Sequence, residues 1–202
     1  MTDDASAADM PPNSPLSKVV RFGPHTVTNH VFHRTPHTYS IVNIRPLLPG
    51  HVLVCPWRIV PHLYQLSPAE VTDLFLTVQR VQRTLRRVYG AEGFNVGIQD
   101  GKAAGQSVAH VHCHIIPRRK GDMDSRGGGD RIYEMMEGEE GDVGKGLTGR
   151  EQSEDQGKVG QKEGRRFKTD EERKDRSEEE MREEADMLAR EMEKDHGTEE
   201  EE

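Results

Sequence analysis

Hydrophobic residues in the first part of the chain fall into short runs rich in β-branched residues, which are typical of strands. Gly23-Pro24 interrupts the first run, which predicts a hairpin, and Leu47 to Gly50 forms a turn between the second and third runs. Strands joined by short loops usually pair antiparallel, so the pattern predicts an antiparallel sheet. The runs are KVVRFGPHTV (18–27), TYSIVNIRP (38–46), HVLVCP (51–56), GFNVGIQDG (93–101) and SVAHVHCHIIPR (107–118).

One long amphipathic helix lies between the third and fourth runs. Ser67 is placed to cap it, with Pro68 at the first helical position and Glu70 completing a capping box, while Gly90 ends it. Arginines occupy most of the other side, and we interpret them as a solvated face. The apolar stripe consists of Val71, Leu74, Phe75, Val78, Val81, Leu85 and Val88.

The strands and the helix together predict an α+β fold with a core domain at 18–136. Residues 1–17 are polar and proline-rich, and 137–175 are charged and poor in large apolar residues, so we expect both segments to be disordered. RIYEMM, near the end of the domain, is a candidate for a short packed element. A C-terminal helix is predicted at 176–195, capped by Ser177, before an acidic tail at 196–202.

Charge divides the chain at Lys120. The part up to Lys120 holds 7 acidic and 13 basic residues, whereas the rest holds 29 and 15. The chain is acidic overall and lacks basic residues interleaved with aromatic ones, so we do not expect nucleic-acid binding. No apolar run is long enough to cross a membrane, and Cys55 and Cys113 lie in strand-like runs rather than in a disulfide framework. We therefore expect a soluble protein of the cytoplasm, and also of the nucleus.

The stretch HVHCHIIPR contains His110, His112 and His114 at a strict period of two, which places three imidazoles on one face of an extended strand. A purely structural role is an alternative, but it explains one buried histidine better than three. A metal site is a second alternative. It is disfavoured because the first and third positions lie about 13 Å apart along a strand and no cysteine or carboxylate shares the face.

Nucleophilic chemistry at phosphorus is the interpretation that we favour. A histidine nitrogen can attack phosphorus to form a covalent intermediate, and neighbouring imidazoles can bind phosphate oxygens or protonate a leaving group. The glycine-rich loop DGKAAGQS directly precedes the three histidines. Backbone amides of such a loop can bind phosphate oxygens, although glycine-rich loops are common.

At these residues the chain resembles a known family. HVHCHII resembles the signature of the histidine triad superfamily of nucleotide hydrolases and transferases. RFGPH, VNIRPLLPGHVLVCP, LSPAEVTDLFLTVQRVQ, QDGKAAGQSVAHVHCHIIPR, IYEMM and SEEEM follow in the order seen in its fragile-histidine-triad branch. This branch contains the dinucleoside polyphosphate hydrolases, and the resemblance covers about residues 19–136 and resumes near 176.

The resemblance implies a five-stranded antiparallel sheet, with two subunits joining their sheets into ten strands. It also implies that His112 is the nucleophile, that His110 and His114 contact phosphate and assist the leaving group, and that His51 orients them. Tyr133 matches a tyrosine of a flexible loop, although we favour a packed aromatic there. Implied substrate-binding residues are His25, Asn43, Gln99, Gly105, Gln106, Ser107, Val108 and His114, with Phe22, Ile41 and Leu53 either lining the adenine or serving as ordinary core residues.

The implied reaction is hydrolysis of diadenosine triphosphate to AMP and ADP, with Mg²⁺ or Mn²⁺ carried by the polyphosphate and no metal held by the protein. Because the attacking nitrogen must be unprotonated, activity is expected to fall as pH drops through the ordinary imidazole pKa of about 6.5. One alternative is a nucleoside phosphoramidase or adenylyl-lysine hydrolase of the sister branch, since Ser107 replaces a threonine common in the fragile-histidine-triad branch. Another is a nucleotide-binding signalling protein.

Overall fold

The computed structural model of the protein describes residues 13–124, 127–137 and 175–195. The predicted disorder of 137–175, apart from its ends, and the acidic tail lie outside these residues. The helices are α1 (Pro68–Tyr89), α2 (Arg131–Glu137) and α3 (Glu178–Lys194). The strands are β1 (Arg21–Phe22), β2 (His25–Thr26), β3 (Val31–Arg34), β4 (Thr38–Val42), β5 (Val52–Pro56), β6 (Gly93–Ile98) and β7 (Cys113–Arg118).

Five strands form one antiparallel sheet in the order β3-β4-β5-β7-β6, and β1 and β2 form the predicted hairpin. The α+β prediction with a five-stranded antiparallel sheet is therefore confirmed. The sequence did not predict β3, because Val-Phe-His-Arg has neither an apolar run nor a clean alternation. The strand predicted at 107–118 begins only at Cys113, so His110 and His112 precede the strand and only His114 lies within it.

Helix α1 has the predicted ends. The Ser67 hydroxyl accepts a hydrogen bond from the backbone of Glu70, the Glu70 carboxylate accepts one in return, and Gly90 has the left-handed conformation of a C-cap. The predicted stripe is wrong at Phe75, which is 47% exposed. Thr77 and Thr84 are buried instead. Both hydroxyls are hydrogen-bonded, which offsets the free-energy cost of burying them.

The C-terminal helix α3 packs beside α1 and against β3 and β4. Ser177 caps it as predicted, and its apolar stripe of Met181, Ala185, Leu188 and Met192 is buried. On the other side of the sheet, α2 contributes Ile132 and Met135 to a second apolar cluster with Ile116 of β7. The RIYEMM segment is therefore a packed helix, as the sequence indicated.

The chain is already ordered before residue 18, where the lead-in was predicted to end. The Asn13 amide donates to the backbone oxygens of Arg21 and Trp57, and it accepts from the Arg21 backbone N–H. A polar stretch is held here by hydrogen bonds that its composition does not reveal. None of the helices in the described ranges is long and apolar enough to cross a membrane.

The two outer strands of the sheet differ. Strand β3 has four residues, and its register with β4 shifts between Val31 and His33. Strand β6 has six residues in unbroken register with β7 from Gly93 to Ile98, and Val96 is 43% exposed. Bulged, short edges resist pairing with another chain, whereas long regular edges favour it.

The packing of α3 can be tested with Leu188→Ala, because Leu188 is fully buried in the main core. We expect the free energy of unfolding to fall by about 2 to 5 kcal/mol, through lost burial and a residual cavity. Urea unfolding followed by circular dichroism measures it. Asp186→Ala, at an exposed position of the same helix, should change it by less than about 0.5 kcal/mol. Equal small effects would mean that α3 does not pack as described.

Candidate active site

Sheet register brings distant residues onto one face. Ile41, Leu53, His114 and Gly97 lie opposite one another across β4, β5, β7 and β6. Directly opposed residues share a face, and residues two positions away share it too. The row therefore explains how Ile41 and His114, 73 positions apart in the sequence, occupy the same side of the sheet.

His112 is buried, and its ring orientation is fixed by its own chain. Its Nδ1–H donates to the backbone oxygen of His110 at 2.8 Å. Because a carbonyl only accepts, the proton resides on Nδ1 and Nε2 carries a lone pair. This Nε2 atom is buried and has no hydrogen-bond partner within the described part of the protein. An unprotonated and unpartnered imidazole nitrogen is what a nucleophile requires.

His51 and His114 form a relay that fixes the opposite tautomer. The backbone N–H of Leu47 donates to His51 Nδ1 at 3.2 Å, so the His51 proton lies on Nε2. His51 Nε2 is 2.9 Å from His114 Nδ1, which must then accept. The remaining proton of His114 consequently lies on Nε2, which is buried and, like His112 Nε2, has no hydrogen-bond partner in the described ranges. The site thus presents one lone pair and one N–H donor side by side, with ring centroids 4.9 Å apart.

His110 is placed differently from the sequence expectation. Its Nδ1 accepts from the backbone N–H of Gly23 at 3.1 Å, and its Nε2–H donates to the backbone oxygen of Pro56 at 2.8 Å. Both nitrogens are therefore used within the protein. A phosphate contact by His110 would require one of these bonds to break, and the observed geometry instead makes His110 a positioning residue. Phe22 stacks on its ring and meets His112 edge-on.

Burial keeps the three imidazoles of the triad neutral. Desolvation lowers the pKa of His110 to about 4, even though the bond to Pro56 opposes the shift. Desolvation also lowers the pKa of His112, and it lowers that of His114 further, with help from His112 and His51. The unprotonated form of His112 therefore persists below pH 6.5, and the expected loss of activity moves to lower pH than the ordinary imidazole value.

The glycine-rich loop meets the site through Gln99. Gly105 has φ +87°, and a Cβ there would lie 2.7 Å from Gln99 Nε2, so only glycine fits. The backbone N–H groups of Gly105 and Gln106 donate to carbonyls within the loop and are not directed at a ligand. Gln99 Nε2 donates to the backbone oxygen of Met136, and Gln99 Oε1 is buried without a hydrogen-bond partner among the residues that the structure describes. That atom can accept from a hydroxyl or a bound water, but it cannot donate to phosphate.

The remaining predicted site residues divide by exposure. Phe22, Ile41 and Leu53 are at most 2% exposed and belong to the main core, so their adenine role stays a prediction. Ser107 is exposed, and Tyr133 is 57% exposed with its hydroxyl accepting from Asn95, so the packed interpretation of Tyr133 is wrong. Buried members of the predicted set are His25, Asn43, Gln106 and Val108.

Sequence reasoning missed the backbone groups that set the tautomers and a support beneath Asn43. The Arg176 backbone N–H donates to the backbone oxygen of Ile44, and its guanidinium donates to the backbone oxygen of Asn43. Asp175 forms an ion pair with Arg45. Backbone partners leave no sequence signal. The opposite charges of Arg45 and Asp175 were the only available hint, and it is a weak one. In the described ranges no group of three or more His, Cys, Asp or Glu side chains is arranged to hold a metal ion.

Comparisons with known proteins identify the family of this chain. The HIT domain family matches residues 25–121. The chain is 42% identical over 174 residues to bis(5′-nucleosyl)-tetraphosphatase [asymmetrical] of Schizosaccharomyces pombe, covering 86% of this chain and 94% of that protein. It is 45% identical to bis(5′-adenosyl)-triphosphatase of Dictyostelium discoideum, over 58% of this chain and 78% of that protein.

Two solved structures align with most of this chain. Plasmodium falciparum diadenosine triphosphate hydrolase in complex with cyclomarin A aligns with a TM-score of 0.60 and 26% identity, covering 88% of this chain and 86% of that one. The Caenorhabditis elegans NitFhit protein aligns with a TM-score of 0.58 and 30% identity, over 86% of this chain and 30% of that one. The chain therefore belongs to the histidine triad family, in its fragile-histidine-triad branch.

The tautomers can be tested by long-range ¹H–¹⁵N correlation spectra of the histidine rings. At pH 7 we expect the proton on Nδ1 of His112 and on Nε2 of His51, His110 and His114, because of the hydrogen bonds described above. On acidification His110 should titrate near pH 4, since burial lowers its pKa to about that value. A His110 midpoint near 6.5, or an Nε2–H tautomer of His112, would contradict the site as described.

Proposed function

We propose that this protein hydrolyses dinucleoside polyphosphates, and diadenosine triphosphate to AMP and ADP in particular, through a nucleotidyl intermediate on His112. The observation that carries the proposal is the pairing of two buried, unpartnered atoms, His112 Nε2 and His114 Nε2. His112 Nε2 carries the lone pair that attacks, and His114 Nε2–H can donate a hydrogen bond to an oxygen of the attacked phosphate. Relatives of the chain named as triphosphatase, tetraphosphatase and diadenosine triphosphate hydrolase support the substrate class.

The reaction follows from the tautomers. His112 Nε2 attacks the α-phosphorus, a P–N bond forms, and the P–O bond to the departing ADP breaks. The ring then carries positive charge, which the His110 carbonyl stabilises through the Nδ1–H bond. His114 Nε2–H donates to a phosphate oxygen and is held in place by His51. Water then attacks the phosphorus, a P–O bond forms as the P–N bond breaks, the water loses a proton to solvent, and AMP leaves with neutral His112 restored.

We propose that Mg²⁺ or Mn²⁺ enters with the substrate and neutralises its polyphosphate. Hard oxygen ligands of the phosphates and water satisfy these ions without a dedicated protein cage. Only the leaving group separates this reaction from that of a phosphoramidase or adenylyl-lysine hydrolase. A relative from Arabidopsis thaliana is named bifunctional bis(5′-adenosyl)-triphosphatase/adenylylsulfatase, which supports comparing leaving groups directly.

We further propose that the protein forms a homodimer by pairing β6 with β6 of a second copy. The supporting features are the unbroken register of β6, its position at the edge of the sheet and the half-exposed side chain of Val96. We place the protein in a reducing compartment, the cytoplasm and nucleus included. Cys55 and Cys113 are both buried free thiols, and unpaired thiols suit a reducing compartment.

The nucleophile is tested with His112→Asn. The change removes the attacking nitrogen but keeps a polar side chain of similar reach, so hydrolysis should fall by at least about a thousandfold while binding is retained. Release of AMP and ADP from diadenosine triphosphate in ¹⁸O-water measures it, and the label should appear in AMP. His37→Asn, at an exposed histidine, is the matched control. Persistent turnover by His112→Asn would overturn the mechanism.

The dimer is tested with Val96→Lys. In a two-fold pairing of β6 the introduced charges oppose each other, so the variant should be monomeric while the wild type has twice the chain mass of 22.8 kDa. Light scattering after size-exclusion chromatography measures the mass. Leu76→Lys, at an exposed position of α1, should leave it unchanged. A monomeric wild type, or an unaffected Val96→Lys variant, would contradict the proposal.

A further inference from the structure

A stacked aromatic pair, of which only Tyr64 is exposed, lies beside the glycine-rich loop and is not used by the triad. Tyr64 is 79% exposed, and its ring stacks on that of His62 with centroids 5.1 Å apart and planes 12° apart. One face of the Tyr64 ring is therefore covered by His62, while the exposure leaves much of the rest in solvent. Fixed aromatic rings with an open face are the usual platforms for nucleic bases.

The pair is tied to the glycine-rich loop by several contacts. Asp100 Oδ1 accepts from the backbone N–H of Leu63 at 3.0 Å and lies 3.3 Å from His62 Nδ1. Gly101 has φ +93°, and a Cβ there would lie 2.6 Å from the His62 ring. These contacts hold the His62 ring against the chain immediately after Gln99.

Two further hydrogen bonds link the same segment to the glycine-rich loop and to the triad. The Gln106 amide donates to the Pro61 oxygen at 2.8 Å, and the Val111 backbone N–H donates to the Val60 oxygen at 2.8 Å. Val111 lies between His110 and His112. The segment that carries Tyr64 is thus bonded to the loop at Gln106 and to the triad at Val111, so its position relative to His110 and His112 is fixed.

The chemistry of the substrate supplies the ligand for this platform. A dinucleoside polyphosphate carries a base at each end. In the proposed reaction the base on the attacked nucleotide is assigned to the predicted site at Asn43 and Leu53, and the phosphates are assigned to the glycine-rich loop that precedes the triad. The base at the far end is then expected beyond that loop, and His62 and Tyr64 lie beside the loop at Asp100.

We propose that Tyr64, held by His62, is the platform on which the second base of a dinucleoside polyphosphate stacks. The proposal rests on the proposed function, because it takes the direction of the substrate from attack by His112. Tyr64 is then a specificity residue rather than a catalytic one. It favours substrates with a base on the leaving group and has no effect on the bond that is broken.

Calorimetric binding to the full chain with Mg²⁺ tests this with two ligands. One is diadenosine triphosphate with methylene bridges, which resist hydrolysis, and the other is the same compound with a methyl group in place of the second adenosine. Tyr64→Ala should weaken binding of the first about fivefold to tenfold, as expected for a partly solvated base stack. It should leave the second unchanged. Tyr64→Phe keeps the ring and should bind both ligands like the wild type.

Phe75→Ala is the matched control, because it removes a half-exposed aromatic ring from α1. Equal losses for the two ligands in Tyr64→Ala, or no loss, would overturn the platform. Turnover of ordinary diadenosine triphosphate by the wild type separates the two proposals. Turnover without the ligand-selective loss overturns the platform alone, and the selective loss without turnover overturns the hydrolase alone. Failure of the wild type to bind either ligand overturns both.

Discussion

Three imidazoles are buried in this site, and the free-energy cost of charging them there governs its structure. His110, His112 and His114 are at most 1% exposed. Desolvation disfavours the charged imidazolium form of each ring, in which both nitrogens carry a proton. The unfolded chain binds those protons near pH 6.5, whereas the folded chain binds them only at lower pH. Stability must therefore fall as pH drops through that interval and is complete above it. Neutral rings can be either donors or acceptors, so their partners decide what each of them does.

Those partners are mostly backbone groups, which cannot change roles. Leu47 donates to His51, Gly23 donates to His110, and the carbonyls of Pro56 and His110 accept. Each ring is consequently held in one tautomer, and the two nitrogens left unpartnered have opposite characters. Preorganisation of this kind spares the site a reorganisation during the reaction. The sheet row through Leu53 and His114 provides the frame, and Arg176 of the C-terminal segment supports Asn43 from outside it.

Local patterns predicted the elements whose signals are local. The ends of α1 and α3 were correct because Ser67 and Ser177 cap their own helices, and the period-two histidines did place His112 and His114 together. Where partners come from elsewhere in the chain, prediction failed. Strand β3 depends on β4, and the inward orientation of His110 depends on Gly23 and Pro56, 87 and 54 positions away. Phe75 fits a helical stripe by spacing, but no other element in the described part of the chain covers it fully, and it is 47% exposed.

The unequal edges of the sheet limit how many copies can associate. The proposed pairing of β6 with its own copy about a two-fold axis would use that edge completely in both partners. The strand at the other end, β3, is short and bulged at Val31 and His33, so it offers no regular template for another chain. Association through β6, as proposed, would therefore close at two subunits instead of continuing into a fibre. An irregularity of one residue in an outer strand would then be enough to make the proposed assembly finite.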